Sequence, residues 1–181
     1  MVELQKQIDE LKGQLESLRA DMPSDKLSMV VFSGALDKLL AAFVMATGAA
    51  AMGSDVTMFF TFWGTAAMRA PKKKAPAKDL ISKMFGIMLP KGFPGLKLSQ
   101  MHMAGGGTEM MKFLMKKKRI ASLDEMLAIA GECGVKIFIC EMSMDLMGMK
   151  REEMIEYPNL EFVGVAKFLA EAGTSRTTLF I

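Results

Sequence analysis

Hydrophobic positions recur along the chain in more than one rhythm. Over residues 2–19 the apolar side chains are Leu4, Ile8, Leu11, Leu15 and Leu18, and Met22 continues the series. Steps of four and three are the spacing of a heptad seam on a helix. The seam is narrow, whereas a helix packed on its own domain usually carries a broader apolar stripe. So short a helix needs a partner, which either its own domain or a second copy would supply. Asp21-Met-Pro-Ser-Asp then marks a boundary.

From Lys26 the rhythm changes. Leu27–Phe32, apolar except for Ser28, reads as a strand buried on both faces. Ser33-Gly34 interrupts it, and Leu36–Ala51 is a long, nearly all-apolar helix. Gly53-Ser54 ends the helix, Val56–Phe62 is a second buried strand, and Trp63-Gly64 stands just past its end. These segments make one strand–helix–strand unit. Residues 65–105 break the pattern with the run Pro71-Lys-Lys-Lys-Ala-Pro-Ala-Lys, with Pro90, Gly92, Pro94 and Gly95, and with Gly105-Gly106-Gly107. About forty residues far exceed an ordinary connection, which predicts an insertion with a functional or assembly role. A short helix is expected within it over 79–88.

Regularity returns with a helix over Thr108–Lys118, whose basic end complements the helix dipole. Ser122 and Glu125 have the spacing of a capping box, opening a helix that Cys133-Gly134 closes. Val135–Cys140 is a third strand. Helical turns over 143–148 and 150–157, a strand at Leu160–Val163, a helix at Val165–Ala172 and a strand at Thr177–Ile181 complete the reading. Alternating strands and helices predict a mostly parallel sheet covered on both faces. The expected organisation is a heptad helix over 1–22 and an α/β domain over 26–181, with an insertion at about 65–105.

Composition narrows the function classes. With 51% hydrophobic residues in 181, the chain is one ordered domain with a short appendage. Net charge is only +3, and one Trp, one Tyr and one His leave few stacking platforms and little histidine chemistry. No nucleic-acid partner is expected. The 20 methionines read first as adaptable core filler and second as a soft binding surface. Two cysteines make no disulfide framework and suit a reducing compartment. The polar start, Glu3 to Lys12, lacks a signal-peptide core, so a cytoplasmic location is expected. The apolar stretch Leu39–Trp63 is interrupted by Gly48, Gly53, Ser54 and Asp55, and no membrane span is predicted. A weaker reading is peripheral membrane contact through the Lys-rich insertion and its segment Met84–Leu89.

In an open parallel sheet, ligands bind at the carboxyl ends of the strands. Ser33-Gly34, Trp63-Gly64 and Cys140-Glu141-Met142-Ser143 all fall there. Cys140 ends a strand just before a helical turn, where backbone N–H groups favour a thiolate, the sulfur nucleophile. The alternative is an inert buried cysteine, and a close Glu141 carboxylate would work against the thiolate. Cys133 lies at the other end of the same strand, roughly 20 Å away. A disulfide needs Cα atoms within about 7 Å, so Cys133 reads as structural. His102 has no neighbouring ligand for a metal and reads as a packed or surface side chain, or else as a base for a thiol. The triple glycine lacks the Gly-Lys-Ser/Thr ending of a phosphate loop and reads as a hinge. Asp37 and Asp145 are expected in the first turns of helices. Neither a metal nor a cofactor is predicted.

The residues themselves resemble a family. Ser33-Gly-Ala-Leu-Asp-Lys, Ala50-Ala-Met-Gly with Val56-Thr-Met-Phe-Phe-Thr-Phe-Trp-Gly, and Cys140-Glu-Met-Ser-Met-Asp-Leu-Met-Gly look like the DsrE/DsrF-like family. More narrowly, they resemble its Met-rich branch, linked to sulfur oxidation and often labelled peroxiredoxin-like, although the Pro-x-x-x-Thr-x-x-Cys pattern of true peroxiredoxins is missing. The resemblance runs from about Lys26 onwards. It implies a flavodoxin-like three-layer fold, homo-oligomeric assembly, and a cysteine that holds sulfane sulfur as a persulfide or thiosulfonate. That cysteine maps onto Cys140, and their place at the strand ends makes Ser33, Gly34, Trp63, Gly64 and Ser143 its expected surroundings. The implied partners are a TusA-like sulfur carrier protein or a heterodisulfide-reductase-like complex. The expected function is therefore a sulfurtransferase-like sulfur carrier. A non-catalytic assembly or partner-binding module with a silent cysteine is the alternative.

Overall fold

The computed structural model describes residues 2–21, 24–73 and 80–181; within the helices at 2–21 and 80–88 it describes the side chains of 5–14, 82 and 84–88. Strands β1 (Ser24–Val31), β2 (Asp55–Phe60), β3 (Lys136–Cys140), β4 (Leu160–Val163) and β5 (Ser175–Phe180) form one sheet in the order β4-β3-β2-β1-β5. Every strand pair is parallel. The three-layer α/β architecture expected from the sequence is present.

Strand alternation divides the side chains between two faces. On the first face, Met29 and Val31 of β1, Met58 and Phe60 of β2 and Ile137 and Ile139 of β3 are fully buried. They lie beneath α2 (Leu36–Ala51) and α6 (Leu123–Glu132). In α2 the buried positions Leu39, Ala42, Phe43 and Ala46 recur at helical spacing, and Phe43 meets the Phe93 ring edge-on at 6.1 Å. The predicted bounds of α2 are those observed, and the predicted capping box opens α6. The Glu125 N–H donates to the Ser122 hydroxyl at 3.3 Å, and the Ser122 N–H donates to the Glu125 carboxylate at 2.7 Å.

The second face is covered mainly by α8 (Val165–Gly173), which carries the chain from β4 at one edge to β5 at the other. Phe168 is its one buried residue, and its ring stacks on Phe59 at 4.8 Å. Parallel sheets are ordinarily covered on both faces. Here Val165, Leu169 and Phe180 are exposed.

Several expectations are corrected. Strand pairing in β2 stops at Phe60 rather than Phe62, because Phe62 takes a positive φ of 45°. The helical turn expected over 150–157 is confined to Arg151–Glu153. Beyond it Met154 pairs antiparallel with Arg69, and the Ile155 N–H donates to the Met68 carbonyl at 3.0 Å. Within the glycine run expected as a hinge, Gly107 makes a close approach, while Gly105 and Gly106 stand in open space. Gly105 has φ 105°, and a Cβ on Gly107 would fall 1.8 Å from the Met101 carbonyl oxygen. That contact docks the start of α5 (Gly106–Lys117) on the preceding loop. Methionines occur in both settings: Met29, Met58, Met68 and Met154 are core filler, while Met84, Met88, Met101 and Met103 are exposed.

The N-terminal segment is helical, α1 (Val2–Asp21), and residues 5–14 are exposed throughout. Ile8 and Leu11 of the heptad seam are therefore uncovered. The side chains of Leu4, Leu15 and Leu18, residue Met22, and residues 74–79 of the Pro-flanked basic run lie outside the described residues. The expected short helix of the insertion is α4 (Leu80–Met88).

Candidate functional site

The carboxyl ends of β1 and β2 interlock through two glycine corners. Past β1, the Phe32 and Ser33 N–H groups donate to the Ile181 carbonyl at 2.8 and 3.2 Å. The Ser33 hydroxyl accepts from the Ala35 N–H at 3.2 Å. Past β2, α3 (Trp63–Ala67) begins, and the Gly64 N–H donates to the Phe32 carbonyl at 2.9 Å. A Cβ on Gly64 would lie 2.2 Å from the Val31 carbonyl oxygen, and one on Gly34 would lie 2.6 Å from that of Trp63. Only glycine permits backbones to meet this closely.

Between the corners stands Phe62, at φ 45° and ψ −117°. A non-glycine residue in such a conformation costs about 1–3 kcal/mol and persists only where its surroundings over-determine it. The restraint comes from β3's side of the site. Ser143 of α7 (Glu141–Leu146) is fully buried, and its hydroxyl accepts from the Phe62 N–H at 3.0 Å. The same oxygen hydrogen-bonds the Thr61 hydroxyl at 2.9 Å.

Cys140 is the last residue of β3 and the N-cap of α7. Its side chain belongs to the second face, 3% exposed, in a cluster with Phe59, Phe138, Val163 and Phe168. The side chain makes no capping hydrogen bond to α7. Glu141, whose charge bears on a nearby thiolate, is engaged by Arg151. Both cysteines are unbridged; Cys133 is exposed at the C-cap of α6.

A cleft of about 500 Å³ opens beside the corners. Ser33, Gly34 and Trp63 line one wall; Ile87, Met88 and Lys97 from the insertion line the other. Gly64 is buried against β1, while Cys140 and Ser143 are not among the cleft's lining residues. The six residues singled out from the sequence thus separate into a cleft group, a buried positioning pair, and a thiol under α8.

The insertion wall is fixed by polar contacts that the hydrophobic pattern does not announce. Arg69 and Glu153, each 3% exposed, pair at 3.0 Å. The Arg69 guanidinium also donates to the Gly86 carbonyl at 3.4 Å and the Pro90 carbonyl at 3.5 Å. The Lys97 carbonyl accepts from the Leu36 N–H at 2.8 Å. Asp37, in the first turn of α2 as expected, accepts from the Ser99 N–H at 2.8 Å and from its hydroxyl. Burial works to raise the Asp37 pKa, but the Ser99 hydrogen bonds outweigh it, and the carboxyl titrates below its ordinary value. Asp145 sits near the end of α7, not in its first turn. His102 is half-buried and packed, its Nδ1 within 2.9 Å of the Thr108 hydroxyl. Tyr157 donates to the Val135 carbonyl at 2.7 Å, and burial, with a smaller contribution from Cys133, pushes its hydroxyl above the ordinary range. No cluster of three His, Cys, Asp or Glu side chains suited to a metal occurs among the described residues. No described helix is long and apolar enough to cross a membrane.

A profile of the DsrE/DsrF/DrsH-like family matches residues 23–180. The chain belongs to this family. It is 40% identical over 156 residues to the uncharacterized protein YrkE of Bacillus subtilis, covering 86% of this chain and 96% of that protein. It is 36% identical over 164 residues to the sulfur carrier protein DsrE2 of Allochromatium vinosum, covering 88% of this chain and all of that protein. Among solved structures, the ychN protein from E. coli superposes with a TM-score of 0.48 at 12% identity, over 87% of this chain and 99% of that one.

Sequence reasoning missed Thr61, Phe62, Arg69, Glu153 and Phe168. For Phe168 a signal existed, because Phe168 and Ala172 are spaced to face a sheet from a helix. For Arg69 and Glu153, 84 positions apart, the sequence offers none.

Proposed function

We propose that this chain is a sulfur carrier: Cys140 accepts sulfane sulfur, holds it as a persulfide, and passes it to a partner thiol. The observation that carries the reading is an unbridged cysteine at the carboxyl end of a central parallel strand, where such sheets place their chemistry. The 36% identity to a protein named as a sulfur carrier supports it. Loading by a persulfide donor R–S–SH forms the Cys140 Sγ–S bond and breaks the donor's S–S bond. R–S⁻ leaves and takes up the Cys140 proton as R–SH. Transfer repeats the exchange, with the acceptor thiol R′–SH becoming R′–S–SH and Cys140 regaining its proton. Neither step needs an external oxidant or reductant. With tetrathionate as donor, thiosulfate leaves and a thiosulfonate-type adduct stays on Cys140.

In this reading the cleft at Ser33, Gly34 and Trp63, which Cys140 does not line, takes part of a partner protein rather than the reacting donor, while Gly64 and Ser143 hold the corners in position. The exposed apolar residues of α1 and of the second face fit homo-oligomeric assembly. A cytoplasmic location, and a TusA-like or heterodisulfide-reductase-like acceptor, are parts of the same proposal. The test is cyanolysis after polysulfide treatment. Thiocyanate should form with wild type and Cys133→Ser and be lost in Cys140→Ser; equal yield from Cys140→Ser overturns the site.

One observation favours a second reading. Cys140 is almost completely buried, as a silent structural cysteine in an assembly module would be. Native labelling of Cys140 by a thiol reagent, much faster than global unfolding, would count against that module.

A further inference from the structure

Charge is segregated along this chain. Residues 80–121 contain eight Lys or Arg and one acid, Glu109, against 23 basic and 20 acidic residues in the whole. The remainder is net acidic. The same stretch displays apolar side chains outward. On α5, Thr108 and Met115 face inward, while Met110 and Phe113 are 52% and 64% exposed. Met101 and Met103, in the loop before it, are 69% and 74% exposed. An ordinary surface helix has the opposite arrangement.

These pieces belong to one body. The Lys112 ammonium donates to the Pro94 carbonyl at 3.3 Å, and the Leu98 N–H donates to the Thr108 hydroxyl at 3.3 Å, which also meets His102. On α5 the exposed Met110 and Phe113 lie within about two turns of the exposed cations Lys116, Lys117, Lys118 and Arg119, while Met101 and Met103 extend the apolar side from the helix's other end.

We propose that this face, α5 with the 101–104 loop, docks on an anionic lipid surface. Basic residues beside protruding apolar side chains are what an interfacial element needs, with cations at headgroups and Met and Phe at the acyl boundary. A second copy meeting this face with the same face would set like charge against like. An acidic protein partner would use the groove of about 730 Å³ that Lys112, Lys116 and Arg119 line against α6, whereas Met101, Met103, Met110 and Phe113 stand outside that groove, where lipid takes them without a shaped pocket. The inference is independent of the chemistry at Cys140.

The test is co-sedimentation of the full-length protein with vesicles of phosphatidylcholine, alone or mixed equally with phosphatidylglycerol. Binding is expected to the mixed vesicles, falling as salt rises. The triple variant Lys116→Glu, Lys117→Glu, Lys118→Glu should bind at least about a hundredfold more weakly, at about fivefold for each cation lost. Phe113→Ser should weaken binding about tenfold. All four side chains are exposed, so both variants should retain the wild-type Tm. No binding to mixed vesicles, equal binding to phosphatidylcholine alone, or an unaffected triple variant overturns the proposal. So does a homo-oligomer that dissociates in Phe113→Ser without any vesicle binding, since the face is then a contact between copies.

Discussion

If Cys140 is to react, α8 must lift, and Phe168 measures how hard that is. Phe168 is 5% exposed, shares the Cys140 cluster, and lies flat on Phe59, the planes 11° apart. Replacing a buried Phe by Ala costs about 3–5 kcal/mol in lost transfer energy and cavity. Lifting α8 exposes Phe168, so most of that energy comes off the local opening. Taking about 3 kcal/mol, and tenfold for each 1.4 kcal/mol, Phe168→Ala should raise the population with Cys140 accessible about a hundredfold. The assay is stopped-flow labelling with a chromogenic disulfide in a Cys133→Ser background, well below Tm. Two controls isolate the effect. Leu169→Ala changes an exposed position on the same helix and should label as wild type does. Leu39→Ala removes a buried side chain from the other face, destabilising by about 2–5 kcal/mol without touching the cluster. If Phe168→Ala labels no faster than wild type although its Tm has fallen, or if Leu39→Ala labels as fast as Phe168→Ala, local gating is refuted.

Other consequences follow from contacts at the corners and the insertion. Gly64→Ala drives a methyl group into the Val31 carbonyl. It should destabilise by about 1–3 kcal/mol or more in urea unfolding; an unchanged midpoint would contradict the interlocked corners. Glu153→Gln leaves the Arg69 charge buried without its counter-ion and should cost about 3–5 kcal/mol. A loss below about 1 kcal/mol, the worth of an exposed pair, would mean that water reaches the pair. Asp37 has a folded pKa below its unfolded one, so its contribution is present above about pH 4 and is lost as pH falls through the folded value. Thermal scans should therefore show wild type more stable than Asp37→Asn at neutral pH, with the difference vanishing on acidification; a gap that persists in acid would contradict the assignment.

The sheet and its helices were legible because their periods are strong and their ends carry local chemistry. The α2 bounds follow from Ser33-Gly34 and Gly53-Ser54, and the α6 start from the Ser122 and Glu125 pair. The family, too, was visible in the strand-end motifs, now matched over residues 23–180. The arrangement of the site was less legible. β2 ends in the unbroken apolar run Met58-Phe59-Phe60, so its pattern fixes a buried strand but not which neighbours each face meets. Cys140 and Ser143 are three residues apart. Yet Cys140 turns beneath α8, while Ser143 reaches the β2 corner. The positive φ of Phe62 left no mark either, because its restraint is the hydrogen bond that its N–H donates to a residue 81 positions away. The short helix and glycines of the insertion could be read, but not the Arg69–Glu153 pair that fixes its inner wall.

The most direct test of the account is intact mass after the reduced protein meets polysulfide, thiosulfate and tetrathionate in turn, with wild type, Cys133→Ser and Cys140→Ser compared. The account predicts adducts, sulfur-sized from polysulfide and thiosulfate and thiosulfonate-sized from tetrathionate, that need Cys140, survive loss of Cys133 and disappear with reductant. Adducts retained in Cys140→Ser, or absent from every protein, would contradict it.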